Sequence, residues 1–286
     1  MAQTATTGNL ENAQRIIIAA ARYTEEHNAP AMNLIESFTL PKGAKQVTVP
    51  KVKQMSMSDL VDGQDIVDEE EIGMTTVDLT ASEVGAKVIL TDKLVRQSSD
   101  NVMSIVGRQL GDGMARKKDN DVTALYSGFS TELGAAGRSM SLANLSAVVA
   151  YAKGNKFGSQ VYVNHHPFTV WDIANTAVTA SSTYPVPKGW SEDLLGDFFS
   201  GLRPLNGVPI FEDGNISIDS SDDAIGVVAD KSALAVLKSV ETRTERQRDA
   251  SLRATELVMT SDYGVFELDD SKGAALTLDA GTPATS

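Results

Sequence analysis

Residues 46–90 constrain this chain more than any other stretch. Gln46-Val47-Thr48-Val49 alternates polar and apolar side chains, slips phase at Pro50, and resumes through Val52 toward Met55 and Met57. A second run, Val77-Asp78-Leu79-Thr80-Ala81, slips near Ser82-Glu83 and continues as Val84, Ala86, Val88 and Leu90. Period-two alternation predicts two strands, each with a break, that pair as one long bent hairpin. Proline lacks the N–H that a ladder needs, so Pro50 belongs at an edge or a bulge. The stretch from Gln46 to Ser58 reaches roughly 40 Å when extended. A two-stranded ribbon of that reach is marginal on its own, and no other part of the chain reads as a full covering layer. The hairpin points to a partner subunit.

Its connection, Ser58 to Gly73, is far longer than a tight turn. It carries Asp59, Asp62, Asp65, Asp68, Glu69, Glu70 and Glu71 and no basic residue. The part from Asp65 to Glu71 lacks the spacing of an EF-hand and its glycine position, which leaves a solvated loop or a contact with basic residues elsewhere. Residues 239–253 offer such a complement in Arg243, Arg246, Arg248 and Arg253. Glu241, Glu245 and Asp249 interleave with them, so the run suits salt-bridged strand pairing better than a nucleic-acid groove. Asp65, Asp68, Glu69, Glu70 and Glu71 are therefore expected to meet Arg243, Arg246, Arg248 and Arg253 between subunits, guanidinium fork to carboxylate.

Composition narrows the function classes. Lys and Arg total 25 against 38 Asp and Glu, a formal net charge of -13. That opposes phosphate neutralisation on DNA or RNA and adhesion to anionic membranes. Hydrophobic residues make up 42% and charged residues 22%, an ordinary globular balance. There is no cysteine, which excludes disulfides, thiolate metal sites and cysteine nucleophiles. The apolar run Ile16–Ala21 is too short to span a bilayer, and Met1–Ala13 has no basic signal-peptide region. A soluble protein of cytosol-like surroundings is expected.

Along the rest of the chain, Met1–Gly8 reads as a mobile arm, and Asn9 can cap a helix over Leu10–His27 that ends at Ala29-Pro30. That helix is either an ordinary core helix or one that docks on a neighbouring chain. Val102, Val106, Leu110, Met114, Val122, Leu125 and Tyr126 recur at helical spacing. A continuous helix from Asn101 to Tyr126 would be roughly 39 Å long. Gly107, Gly111 and Gly113 weaken it and mark close backbone approach or a place to bend. Residues 141–238 read as an α/β subdomain. It comprises a helix over Leu142–Lys153 capped by Ser141, a strand at Gln160–Val163, a helix over Phe168–Val178 and a surface loop at Thr179–Pro187. Short strands at Gly207–Phe211 and Ile225–Ala229 and a helix over Lys231–Lys238 complete it. Charged strands follow at Val240–Arg248, Ala254–Thr260 and Tyr263–Leu268, then a small polar tail, Ser271–Ser286.

No phosphate loop, dinucleotide fingerprint or nucleophile elbow is present. His165 and His166 are adjacent and would point to opposite faces of a strand, so a polar strand end before Pro167 outweighs a metal or catalytic pair. No catalytic residue, cofactor or metal is expected.

The order of these segments resembles the major capsid proteins of tailed bacteriophages with the HK97 fold. The likeness spans about residues 9–270 and extends to the closing segments Ala254-Thr255-Glu256-Leu257 and Tyr263-Gly264-Val265. It implies an α+β fold with an N-arm at 1–43 and an extended loop at 44–90. A peripheral domain with a spine helix would occupy 91–140 and 239–270, and an axial domain 141–238, before a tail at 271–286. It implies pentamers and hexamers closing an icosahedral head around double-stranded DNA, held without sequence-specific contacts. The implied partners are further copies of the chain, a separate scaffolding protein, a portal and a decoration protein. Assembly would occur in the host cytoplasm, and the product would be the virion capsid. Lys51 and Lys53 lie in the loop, but their crosslinking partners find no match, so crosslinks are not carried over. An encapsulin-like compartment and a small hydrolase built on 141–238 are the alternative readings.

Overall fold

The computed structural model describes residues 30–52, 73–93, 102–179 and 207–283. In chain order the elements begin with a short helix α1 (Ala31–Leu34) and strands β1 (Glu36–Thr39), β2 (Gln46–Val52), β3 (Met74–Thr80) and β4 (Ser82–Thr91). The long helix α2 (Val102–Ala124) runs into a tighter turn, Leu125–Gly128, and is followed by β5 (Glu132–Gly134) and α3 (Leu142–Gly154). Then come β6 (Val161–His165), α4 (Pro167–Thr179), β7 (Ile210–Glu212), β8 (Asp223–Asp230), β9 (Leu234–Asp249), β10 (Ala254–Glu267) and β11 (Gly273–Asp279).

Three sheets result among the described residues. β2 and β3 form an antiparallel ribbon in register from Gln46↔Thr80 to Val52↔Met74. A four-stranded sheet has the order β1-β9-β10-β4, and a five-stranded sheet the order β5-β11-β8-β6-β7. The second alternating run of the sequence is thus divided at Ala81. Its first half pairs with β2, while its second half joins the body by pairing with β10 from Tyr263↔Ser82 to Ala254↔Thr91. Pro50 sits inside β2, which among the described residues has a partner strand on one side only, where a missing N–H is tolerated.

Helix α2 joins two cores. Val106, Leu110 and Met114 pack with Leu90, Leu257 and Met259 against the four-stranded sheet. Two turns on, Val122 and Tyr126 enter a second core with Ala31, Ile35, Tyr162, Val227, Leu234 and Tyr263. The other face of the five-stranded sheet is covered by α3 and α4, through Leu145, Val148, Val149, Val170 and Ile173 over Val163, Val228 and Leu276. Burial on both faces fits the short apolar runs Val161–Val163 of β6 and Val227–Ala229 of β8. The Ser141 cap is confirmed, its hydroxyl accepting from the Asn144 N–H at 3.1 Å.

Three expectations change. Lys231–Lys238 is not a helix. Asp230 caps a single turn, accepting from the Ser232 N–H at 3.2 Å, and β9 begins at Leu234. Ala233 through Leu237 are fully buried, and such an unbroken apolar run has no periodicity to separate strand from helix. Residues 254–267 form one strand instead of two, with irregular register at Thr260, Asp262 and Tyr263. The small polar tail contains β11, which lies between β5 and β8. The arm helix at Leu10–His27, the Asp59–Glu71 loop and most of the Thr179–Pro187 loop lie outside the described residues.

Candidate assembly interface

The arginine-bearing strand is half open. β1 pairs with β9 only from Ala235 to Lys238, so among the described residues Val240–Asp249 has a strand neighbour on one side alone. Alternation then sorts its side chains. Thr244, Arg246 and Arg248 stand opposite Met259, Leu257 and Thr255, on the face where α2 packs. Arg243, Glu245 and Gln247 lie on the other face, in register with Thr260, Val258 and Glu256. There Lys87 pairs with Glu256 at 2.7 Å. Charges along an open edge discourage unplanned strand addition.

The four arginines do not form one patch. Arg248 is engaged within its own chain: Nη1 donates to Asp92 Oδ1 at 2.5 Å and Nη2 to Oδ2 at 2.7 Å. These hydrogen bonds raise the Arg248 pKa further above its ordinary value. Arg246 beside it is lowered, first by burial and then by the Arg248 charge. Arg243 Nε lies 3.4 Å from Glu245 Oε1 and 3.4 Å from Thr260 Oγ1. Arg253 occupies the turn between β9 and β10 with φ +47, and its carbonyl accepts from the Asp92 N–H at 2.9 Å. The proposed complement, Asp65, Asp68, Glu69, Glu70 and Glu71, lies outside the described residues.

The root of the ribbon is tied to the body. Lys51 Nζ meets Asp269 Oδ1 at 2.5 Å. Burial pushes the Asp269 carboxyl up, but hydrogen bonds from Lys51 and Ser271 and the Lys51 charge outweigh it and hold the group below its ordinary value. Glu267 close by is pushed up by burial, then by Asp270 and Asp269. A Cβ at Gly264 would collide with the Thr80 carbonyl, so glycine is needed where β3 crosses β10. Neither contact is visible in sequence, because each joins residues far apart in the chain.

Helix α2 runs without interruption through Gly107, Gly111 and Gly113. Gly107 and Gly111 are on its buried side, whereas Gly113 is exposed with nothing near its Cβ position. His165 and His166 have structural roles. His165 is fully buried at the end of β6, its Nε2 donating to the Leu276 carbonyl at 3.0 Å and its Nδ1 accepting from the His166 N–H at 2.9 Å. His166 Nδ1 accepts from the Phe168 N–H at 3.2 Å, at the start of α4. No group of three potential metal ligands occurs among the described residues. A cleft of about 440 Å³ beside α3 is lined largely by apolar side chains, including Leu133, Met140, Leu145, Val148, Leu276 and Leu278. It does not have the clustered titratable groups a hydrolase on residues 141–238 would need.

A tied two-stranded ribbon, a long helix joining two cores and two larger sheets define an α+β protein. A family model described as phage capsid protein matches residues 74–276, and the chain belongs to that family. Its fold is the α+β HK97-type capsid fold, and it is a structural major capsid protein. Three similar solved structures illustrate the match. The capsid of Ralstonia phage GP4 superposes with a TM-score of 0.66 at 11% identity, over 88% of this chain and 89% of that one. The capsid of cyanophage P-SCSP1u gives 0.63 at 14% identity, over 87% of each chain. Mycobacterium phage Che8 gives 0.61 at 17% identity, over 82% of this chain and 84% of that one. No curated protein sequence matches.

Proposed function

We propose that copies of this chain associate as pentamers and hexamers and close an icosahedral phage head around double-stranded DNA. The observation that carries the reading is the ribbon β2–β3. Most of its described side chains are exposed, Met74 by 62%, and a two-stranded ribbon needs another surface to be stable. A neighbouring subunit supplies that surface in a shell. The net charge of -13 keeps the wall from gripping the DNA it encloses.

In this reading residues 1–43 are the N-arm and 44–90 the extended loop. Residues 91–140 with 239–270 form the peripheral domain and 141–238 the axial domain, with β11 completing the axial sheet. The carboxylates Asp65, Asp68, Glu69, Glu70 and Glu71 of one subunit meet Arg243 and Arg246 of a neighbour, since Arg248 is already engaged by Asp92. Gly107 and Gly111 let the spine helix bend as the shell matures. Scaffolding, portal and decoration proteins are the further partners, assembly takes place in the host cytoplasm, and no catalysis is involved.

Negative-stain microscopy of the purified full chain tests the proposal. Closed shells are expected, and a discrete small oligomer under all conditions would overturn it. Charge reversal at Glu69, Glu70 and Glu71 should then reduce shell yield while the subunit stays folded; an undiminished yield would dispose of the proposed contact.

A further inference from the structure

The body contains a buried acidic pair that capsid assembly does not explain. Asp119 of α2 is fully buried and Asp213, in the turn after β7, is 1% exposed. Asn215 bridges them: its side-chain Nδ2 donates to Asp119 Oδ2 at 2.7 Å and its backbone N–H to Asp213 Oδ1 at 2.9 Å. Asp119 Oδ1 accepts from the Ala31 N–H at 3.0 Å. The pair thus touches the entry of the N-terminal segment, the long helix and the end of the five-stranded sheet.

We propose that Asp119 holds a proton that it donates to Asp213, and that this proton closes the joint between the Ala31 segment, α2 and the β7 turn, making the joint sensitive to pH. Two carboxylates side by side in a dry site cannot both stay charged without a cation. Among the described residues neither has an ion pair with Lys or Arg. Lys118, next in sequence, turns away to Thr242 Oγ1 at 3.0 Å and to the Tyr263 ring at 5.4 Å. Asp213 Oδ2 is buried without a hydrogen-bond partner, and a proton on Asp119 gives it one.

The titratable surroundings agree. On α1, Ala31–Leu34 brings no ionisable side chain. Beyond α2, Tyr126 is held protonated by burial, as is Tyr162 on β6. His166 is pushed down by burial, with only partial compensation from the Asp213 charge. Glu212 on β7 is pushed up by burial. Asp119 itself is raised from 3.8 to about 7, first by burial and then by Asp213, against the hydrogen bonds from Asn215 and Ala31. Its value is raised by folding, so the joint is fully closed below about pH 4 and loosens as pH rises. The loosening levels off above about pH 7.

Hydrogen exchange of the full chain, corrected for intrinsic rates, reads the joint directly. Peptides covering residues 30–36 and 211–217 should lose protection together, by up to about tenfold per pH unit between pH 5 and 7. Asp213→Asn places an uncharged amide donor opposite Asp119, and should keep both peptides protected across that range. Infrared spectroscopy of the wild type at pH 6 should show a buried protonated-carboxyl band, and this reading remains if the variant fails to fold. Flat protection in the wild type, unchanged pH dependence in Asp213→Asn, or the absence of that band would each overturn the proposal.

Discussion

Arg248 reaches over β10 to grip Asp92, with both prongs of its guanidinium on both carboxylate oxygens at 2.5 and 2.7 Å. β9 and β4 are not neighbours, since β10 lies between them. The pair therefore staples the two outer strands of this end of the sheet, beside a turn whose Arg253 carbonyl also holds the Asp92 N–H. The planar fork makes the geometry specific to arginine.

Arg248→Lys should lose the two-pronged contact while keeping the charge. The expected outcome is a small drop in the denaturation midpoint that fades as salt is added. A midpoint identical to wild type at low salt would show that the staple contributes nothing to folding.

Lys51 and Asp269 form the matching tie at the ribbon root. Lys51→Met should destabilise the body by about 0.2–1 kcal/mol, the range for an exposed pair. Folding lowers the Asp269 value, so its stabilisation is present at neutral pH and is lost as pH falls through the acid range below 3.8. The wild type should lose that increment on acidification and Lys51→Met should not, as followed by thermal unfolding.

Glycines along the chain are expected to respond in opposite directions. Gly113→Ala adds a methyl into open space on an exposed helix face and should stabilise by up to about 1 kcal/mol. Gly264→Ala meets the Thr80 carbonyl and should cost about 1–3 kcal/mol, with the ribbon residues losing hydrogen-exchange protection first.

His165 supplies an acid sensitivity of its own. Burial lowers it from 6.5 to about 4, against the hydrogen bond to the Leu276 carbonyl. Its contribution is complete above pH 6.5 and is lost as pH falls toward 4, on the order of 3 kcal/mol. His165→Gln retains an Nε2 donor without titrating, and should flatten the stability profile over that interval. A profile as steep as the wild type's would assign the effect to other groups.

Much of this architecture was legible from local pattern. The paired strands around Pro50, the helix through Val106, Leu110 and Met114, and the Ser141 cap each rest on signals within a few residues. Where burial is two-sided the local signal vanishes: Ala233–Leu237 reads equally as helix or strand, and Gly273–Asp279 is too short and bland to announce a strand in the middle of a sheet. The arginines were visible as a run, but their separation into a stapled Arg248, a half-buried Arg246 and an exposed Arg243 follows from strand alternation against a particular neighbour.

The sequence by itself determined the class of molecule: a cysteine-free, acidic α+β chain with an extended ribbon and a long helix, the order of segments that belongs to phage capsid proteins. Periodicity and segment order are properties of the chain, so they survive without coordinates. Only the tertiary structure decided which distant residues meet, placing Lys51 on Asp269, Arg248 on Asp92, and Asp119 beside Asp213. Side-chain partnership across scores of residues depends on strand order and burial, and those are set by packing the whole chain at once.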